Sequence, residues 1–291
     1  MKALSRQTTA PKQRFALTRR QWEMLASYAA LIGLSVVIFF PIFNMILASF
    51  KPADELFRFP PRLWPQRPSL DAYITAWNSA PLGRFLLNSL LQSSIITAGQ
   101  LLTSALAGYA FACMRFPGRQ WLFGITVATL LIPGEVIVIP NYFTVARLGW
   151  LNSMAALTVP FLANGFGIFL MRQFFRTVPQ EFFDAARIDG AGHGRFFWYI
   201  ALPMARPALG ALAIFAFLQA WNQYFWPLLV TTSTRMRTAQ IGIAIFQNDI
   251  EGSEWQVIAA ATTLVLLPTL LAFFIAQKQF IRGISLGGLK G

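Results

Sequence analysis

Six long apolar runs alternate with polar links along the chain, at about residues 24–50, 86–114, 121–145, 154–174, 205–230 and 257–280. Each is long enough for a helix to cross a hydrocarbon layer, which takes about 20 residues. The first, ~27 residues or ~40 Å of helix, is too long for the apolar part of a signal peptide. No convincing small-x-small cleavage site follows it, so it reads as an uncleaved first span. The link 51–84 is polar and rich in proline, and its Trp64 and Trp77 suit a membrane interface. Shorter turns join the next spans, Arg115-Phe-Pro-Gly-Arg119 among them. Residues 1–22 form a basic tail without an acid, and the chain ends in a short basic segment, 282–291, read as flexible. The pattern predicts an all-α membrane protein: a tail, 1–22, and one six-span domain, 23–291, with a polar loop at 177–203 between spans four and five.

Composition agrees with that class. Of 291 residues, 56% are apolar and only 12% charged, and the mean hydropathy is +0.53. The single Cys113 excludes a disulfide framework and a cysteine metal site, and the single His193, read as a solvated loop residue, excludes a histidine cluster. A net charge of +13 raises the question of nucleic acid, but its distribution answers it. With six spans both termini share one side. That side holds 16 of the 24 Lys and Arg; the other holds Lys51, Arg58, Arg62, Arg67, Arg84, Arg147, Arg235 and Arg237, with Asp54, Glu55, Asp71, Asp249, Glu251 and Glu254. The excess of cations places both termini and the 177–203 loop in the cytoplasm. The charge is a topology signal, and no nucleic-acid partner is expected.

The polar loop has its own pattern. Thr177 is placed to cap a helix whose third residue is Gln180, with Pro179 in the first turn. Phe182, Ala185 and Ala186 fall on one face, and the two alanines keep that face flat enough for close approach. Gly190 stands where a left-handed cap would end the helix. A second short helical stretch follows Gly192 and Gly194 and reaches Pro203.

Asp184-Ala185-Ala186, then three residues, Gly190, nine residues, and Ile200-Ala201-Leu202-Pro203 resembles the cytoplasmic coupling loop of ABC-importer permease subunits. The family pattern begins Glu-Ala-Ala; here Asp184 keeps the charge on a chain one methylene shorter. The likeness runs over about 24–291. The stretch 203–229, including Trp221-Asn-Gln-Tyr-Phe-Trp226, and the ending 283–291 are similar to the second permease of the carbohydrate-uptake branch, of maltose or glycerol-phosphate type. The resemblance implies a heterodimer with a second permease in the inner membrane, two ATPase subunits carrying ATP and Mg, and an extracytoplasmic solute-binding protein. Phe182, Asp184, Ala185, Ala186, Arg187, Gly190 and Pro203 would couple to the ATPase. The chain itself has no Gly-x-x-x-x-Gly-Lys-Ser/Thr loop for ATP, no nucleophilic triad and no metal-ligand cluster, so it is expected to be neither an enzyme nor a holder of cofactors.

Polar residues inside apolar runs are the candidates for a solute path. Glu135 follows Pro133-Gly134, where a broken helix is expected, and a carboxylate at membrane depth marks a pathway or a buried partner. Asn222 and Gln223 lie in the fifth run near Trp221, Tyr224 and Trp226, an amide and aromatic set suited to sugar hydroxyls and rings but equally to interhelical bonds and an aromatic belt. Asn88, Gln92 and Asn164 are weaker candidates of the same kind. A competing function is an ion-coupled secondary transporter using Glu135; it would favour an internal repeat, which 24–150 and 151–291 do not show. A third is a membrane scaffold without transport.

Overall fold

The computed structural model describes residues 18–249 and 254–287; the basic tail up to residue 17, Glu251 and the last four residues, Lys290 among them, lie outside the described residues. Among the described residues the chain is helical without strands. The helices are α1 (Arg19–Ala48), α2 (Ala53–Leu56), α3 (Asp71–Ser79), α4 (Leu82–Cys113), α5 (Arg119–Ala128), α6 (Gly134–Arg147), α7 (Met154–Thr158), α8 (Gly165–Phe175), α9 (Gln180–Ile188), α10 (His193–Phe196), α11 (Leu202–Met204), α12 (Arg206–Trp221), α13 (Phe225–Val230), α14 (Ala239–Asp249) and α15 (Trp255–Gly287). A π-helical turn, Phe197–Ala201, joins α10 to α11. Arg19 and Arg20, assigned to the tail above, instead open α1.

Three helices are long and apolar enough to cross a membrane alone: Arg19–Ala48, Leu82–Cys113 and the Trp255–Phe274 part of α15. Three bent pairs raise the count to six if each is one span. The expected third span is not straight. Its two arms meet at 104° beyond Leu131. Pro133 explains the break, because it forces Ile132 out of the helical region, to φ −86°, ψ 116°. Neither α5, with 10 residues, nor α6, with 14, reaches ~30 Å alone. The fourth span bends by 43° ahead of Gly165. The expected fifth span, 205–230, is interrupted: α12 stops at Trp221, residues 222–224 leave the helix, and α13 resumes at Phe225.

Helix α4 is the centre, packed mainly on α8 and α12, with α15 beside α12. Its amphipathicity is inverted. Asn88, Ser89, Gln92, Ser93, Gln100 and Ser104 are buried, while Leu87, Leu90, Leu102 and Leu106 are exposed. Lipid tails solvate leucine as well as a core does, so hydrogen bonds and close backbone approach hold such helices together. The closest approach is to α8. A Cβ added at Gly108 would stand 2.7 Å from Met171 Cβ and 2.8 Å from the Arg172 nitrogen.

Two clusters cap the ends of this centre. Phe85, Trp221, Phe246, Val257 and Val265 pack at the N-terminal end of α4. Tyr109, Met171, Phe175, Phe196, Phe197 and Leu212 pack at its C-terminal end, under the 177–203 loop. The link after α1 is folded too. Lys51 Nζ donates to the Arg62 carbonyl at 2.6 Å, and Glu55 accepts from the Gln66 backbone at 2.9 Å. Hydrogen bonds to Asp54 and then Glu55 raise the Arg67 guanidinium above its ordinary pKa. By contrast, α1 buries only Leu47 and leaves Leu31, Val37 and Phe39 about 60% or more exposed.

Candidate functional site

The loop is built on a helix end and a corner. Helix α9 does not begin with a Thr177 cap. Thr177 Oγ1 donates to the Phe174 carbonyl at 2.7 Å, finishing α8, and Pro179 is the residue ahead of α9, at φ −59°, ψ 144°. Proline disfavours a helical Val178, so the first turn cannot start at Thr177. The other end is as expected. Gly190 has φ +73°. Its N–H donates to Arg187 O at 3.0 Å, and Ala191 N–H donates to Ala186 O at 2.8 Å, the paired bonds of a Schellman ending.

The apolar residues of α9 divide between two faces. Ala186 is buried and Phe183 stacks on Phe196 with ring centroids 4.3 Å apart. Phe182, Ala185 and Ile188 lie outward, Ile188 at 87% exposure. The flat face expected from Phe182, Ala185 and Ala186 is therefore not one surface; Ala186 faces the protein's own core. Asp184 and Arg187 are exposed, with Asp184 accepting from Gln180 at 3.4 Å. Pro203 opens α11 within its first two positions. Tyr109, absent from the sequence reading, meets His193 Nδ1 at 3.2 Å through its hydroxyl and touches the rings of Phe175, Phe196 and Phe197. His193, the first residue of α10, is exposed as expected and is also hydrogen-bonded to Tyr109 of α4. A cavity of about 180 Å³ lies between them, lined by Tyr109, Phe183, Arg187 and His193. This geometry separates two neighbours: Phe183→Ala is expected to cost about 3 kcal/mol of stability by removing the stacked ring, whereas Phe182→Ala is expected to stay within about 0.5 kcal/mol. Thermal unfolding of the two purified variants checks it.

The path candidates are also sorted. Trp221, expected beside the solute, is 2% exposed and stacks on Phe217 inside the core. Trp226 is buried and donates through Nε1 to Ala156 O at 2.9 Å. Neither ring is free to stack on a sugar; Tyr224, 42% exposed, is. Asn164 caps α8 through a 2.8 Å bond from Phe166 N–H, so it is a local structural amide. Asn222 and Gln223 occupy the interruption after α12. Gln92 Nε2 donates to Gln223 Oε1 at 2.7 Å, and Gln240 Nε2 donates to Asn222 Oδ1 at 3.5 Å. Asn88 Nδ2 donates to the carbonyls of Arg235 and Arg237, both at 2.9 Å, and Ser89 Oγ accepts from Ala239 N–H. One face of α4 therefore anchors both the interruption and the start of α14. Glu135 lies in the first turn of α6, exposed, where the helix dipole favours a carboxylate. Among the described residues no three His, Cys, Asp or Glu side chains gather as metal ligands.

Comparison with known proteins adds to this geometry. Residues 100–286 match the family described as binding-protein-dependent transport system inner membrane component. The sn-glycerol-3-phosphate transport system permease protein UgpE of Yersinia enterocolitica is 36% identical over 273 residues, covering 91% of this chain and 97% of that protein. UgpE of Escherichia coli O6:K15:H31 is 37% identical over 275 residues, covering 92% and 98%. Among solved structures, a chain of a bacterial ABC transporter that imports the acidic polysaccharide alginate superposes with a TM-score of 0.81 at 21% identity, covering 90% of this chain and 98% of its own. A chain from that kind of transporter in complex with an alginate pentasaccharide-bound periplasmic protein gives 0.61 at 16%, covering 89% and 93%.

Proposed function

Because this chain belongs to the family of binding-protein-dependent transport system inner membrane components, and so is a transport permease and not an enzyme, we propose that it serves an ATP-driven importer of a sugar, polyol or glycerol-phosphate-like solute as one of two paired permeases. The observation that carries this is identity of 36% to a glycerol-phosphate permease along 91% of the chain. ATP and Mg reside on two ATPase subunits, and a solute-binding protein delivers the cargo from outside. Both termini and the loop 177–203 lie in the cytoplasm. The outward ridge of α9, Phe182, Ala185 and Ile188, with Asp184 and Arg187 beside it, seats in the ATPase. Closure of the ATPase pair on ATP moves that ridge. The fixed corner at Gly190 and the packing of Phe183 and Ala186 pass the movement to the spans, which alternate between inward-open and outward-open. Exposed apolar residues on a short, otherwise polar helix support this reading, since such a patch marks a protein contact.

The test is uptake by the assembled complex in vesicles with the proton gradient collapsed. Import should persist and require hydrolysable ATP. Glu135→Gln should change the transport rate severalfold at most and leave the ATP requirement intact. Import that continues without ATP, or stops with the proton gradient, returns the chain to the secondary-transporter class with Glu135 as its ion site.

A further inference from the structure

Four arginines gather at the turn from α4 to α5 and the end of α8. Arg172 reaches both neighbours: its Nε donates to the Phe111 carbonyl of α4 at 3.4 Å, and its Cζ lies 3.8 Å from the Phe123 ring centroid of α5. Arg119 and Arg176 stand close enough to repel its charge. Arg119 Nη1 donates to the Met114 carbonyl at 2.9 Å, and Arg115 is exposed. The ion pairs among the described residues join Arg19 to Glu23, and Arg67 to Asp54 and Glu55. None of the four arginines here is therefore neutralised by an acid. Carbonyls and rings hold a guanidinium in place without cancelling its charge, and like charges this close favour an anion among them. Helix α5 adds to the field. It opens after Gly118, at φ +76°, with no side-chain cap and no acid in its first turn, so its first N–H groups are also positive.

The same place opens onto an apolar surface. A cavity of about 400 Å³ is lined by Arg115, Phe116, Arg119, Gln120 and Trp121. A shallow trough of about 590 Å³ shares Gln120 and Trp121 with it and continues along α5 past Gly124 and Ile125 to Ala128. Trp121 and Ile125 are 80% and 60% exposed, and Gly124 leaves open space between them, with nothing within 4 Å of an added Cβ. From Arg119 to Ala128 the helix rises ~13 Å, most of one leaflet of a hydrocarbon layer ~30 Å thick.

We propose that this is a binding site for an acidic phospholipid, its phosphate among Arg115, Arg119 and the first N–H groups of α5, its acyl chain in the trough over Trp121, Gly124 and Ala128. The occupant must carry both an anion and an apolar tail. A free phosphate has nothing to place in the trough, and an acidic protein loop stops at the membrane surface while the trough continues into it. A topological surplus of arginine on one side does not by itself put the arginines at the mouth of an apolar groove; basic pockets of this kind hold acidic lipid headgroups. The proposal rests on the membrane class of the chain and not on its cargo or its coupling to an ATPase.

The experiment uses the complete transporter, with partner permease and ATPase, in phosphatidylcholine nanodiscs. A minor fraction of the lipid is brominated phosphatidylglycerol or, in a second series, brominated phosphatidylcholine. Bromine quenches an indole that it touches, so the difference between the parent and Trp121→Phe isolates this position. The Trp121 signal should be quenched about fivefold or more effectively by the phosphatidylglycerol, the scale of one arginine at a lipid surface. Arg115→Gln should cut that preference severalfold, and Arg115→Gln combined with Arg119→Gln should bring it to about one. Gly124→Leu, which fills the trough and leaves the arginines in place, should lower quenching by brominated phosphatidylglycerol. Added inorganic phosphate should leave the signal unchanged. Equal quenching by the two lipids, a preference that survives in Arg115→Gln, unchanged quenching in Gly124→Leu, or displacement by inorganic phosphate overturns the proposal. So does a Trp121 signal that neither lipid quenches, which would mean that protein covers this face. ATP-driven uptake is followed in parallel. Uptake that persists without a lipid preference removes the lipid site and leaves the permease role standing; a lipid preference without uptake does the reverse.

Discussion

Gly190→Val is expected to weaken association with the ATPase by about one to two orders of magnitude while leaving the membrane spans in place. At φ +73° a β-branched residue is strained by about 1–3 kcal/mol. The space around the position is open, with nothing within 4 Å of an added Cβ, so the loss comes from the backbone alone. The Schellman ending would reopen, freeing the Ala186 carbonyl and releasing the direction in which residues 191–196 leave α9. A few kcal/mol at a docking corner is about 5- to 150-fold in affinity. Gly190→Asn, which tolerates the left-handed region, should retain most of the binding, and Asp184→Glu should be nearly neutral. The measurements are membrane insertion, ATPase co-purification and uptake. Gly190→Val that inserts, binds the ATPase at parental strength and transports at the parental rate would remove the coupling role of this loop.

Gly108→Leu should prevent a stable fold, and even Gly108→Ala should cost about 1–3 kcal/mol. The neighbours of an added Cβ are Met171 Cβ at 2.7 Å and the Arg172 backbone nitrogen at 2.8 Å. A backbone atom cannot turn away as a side chain can, so α4 and α8 would have to separate along the most extensive helix contact among the described residues. Gly124, inside α5 with nothing within 4 Å of its Cβ, is the control. Gly124→Ala should be neutral or slightly stabilising, since alanine is the better helix former. Melting temperatures of the detergent-purified variants decide; equal values for Gly108→Ala and Gly124→Ala would show that the close approach has no energetic weight.

The loop shows where the amino-acid order is sufficient and where it is not. Gly190 was legible because a C-cap glycine is a local signal: one residue without a Cβ, placed after an apolar turn. The inward face of α9 was not, because Phe182, Ala185 and Ala186 fit helical spacing as well as Phe183 and Ala186 do. Only the position of the Phe196 ring, supplied by the next helix, chooses Phe183. Thr177 matched a capping box by spacing, and Pro179 overrode it through its steric effect on Val178. Ile188, the most exposed apolar side chain of the ridge, carries a sequence signal only as the third member of the 182, 185, 188 series.

The membrane class and the expected side of the loop rest on quantities that add along the chain: hydropathy summed over about 20 residues, and Lys and Arg counted link by link. The membrane class the sequence determined without any contact; the side of the loop is an expectation from the same kind of count. Tertiary structure decided what the polar residues inside those runs do. Asn88 and Gln92 looked like members of a solute path; packing made them anchors for the Arg235 and Arg237 carbonyls and for Gln223. Trp221 looked like a sugar platform, and packing buried it against Phe217. For the amides the reason is that a polar group in a low-dielectric interior gains most from a partner close by. That partner is 131 residues away for Gln92 and Gln223, and no local pattern records it.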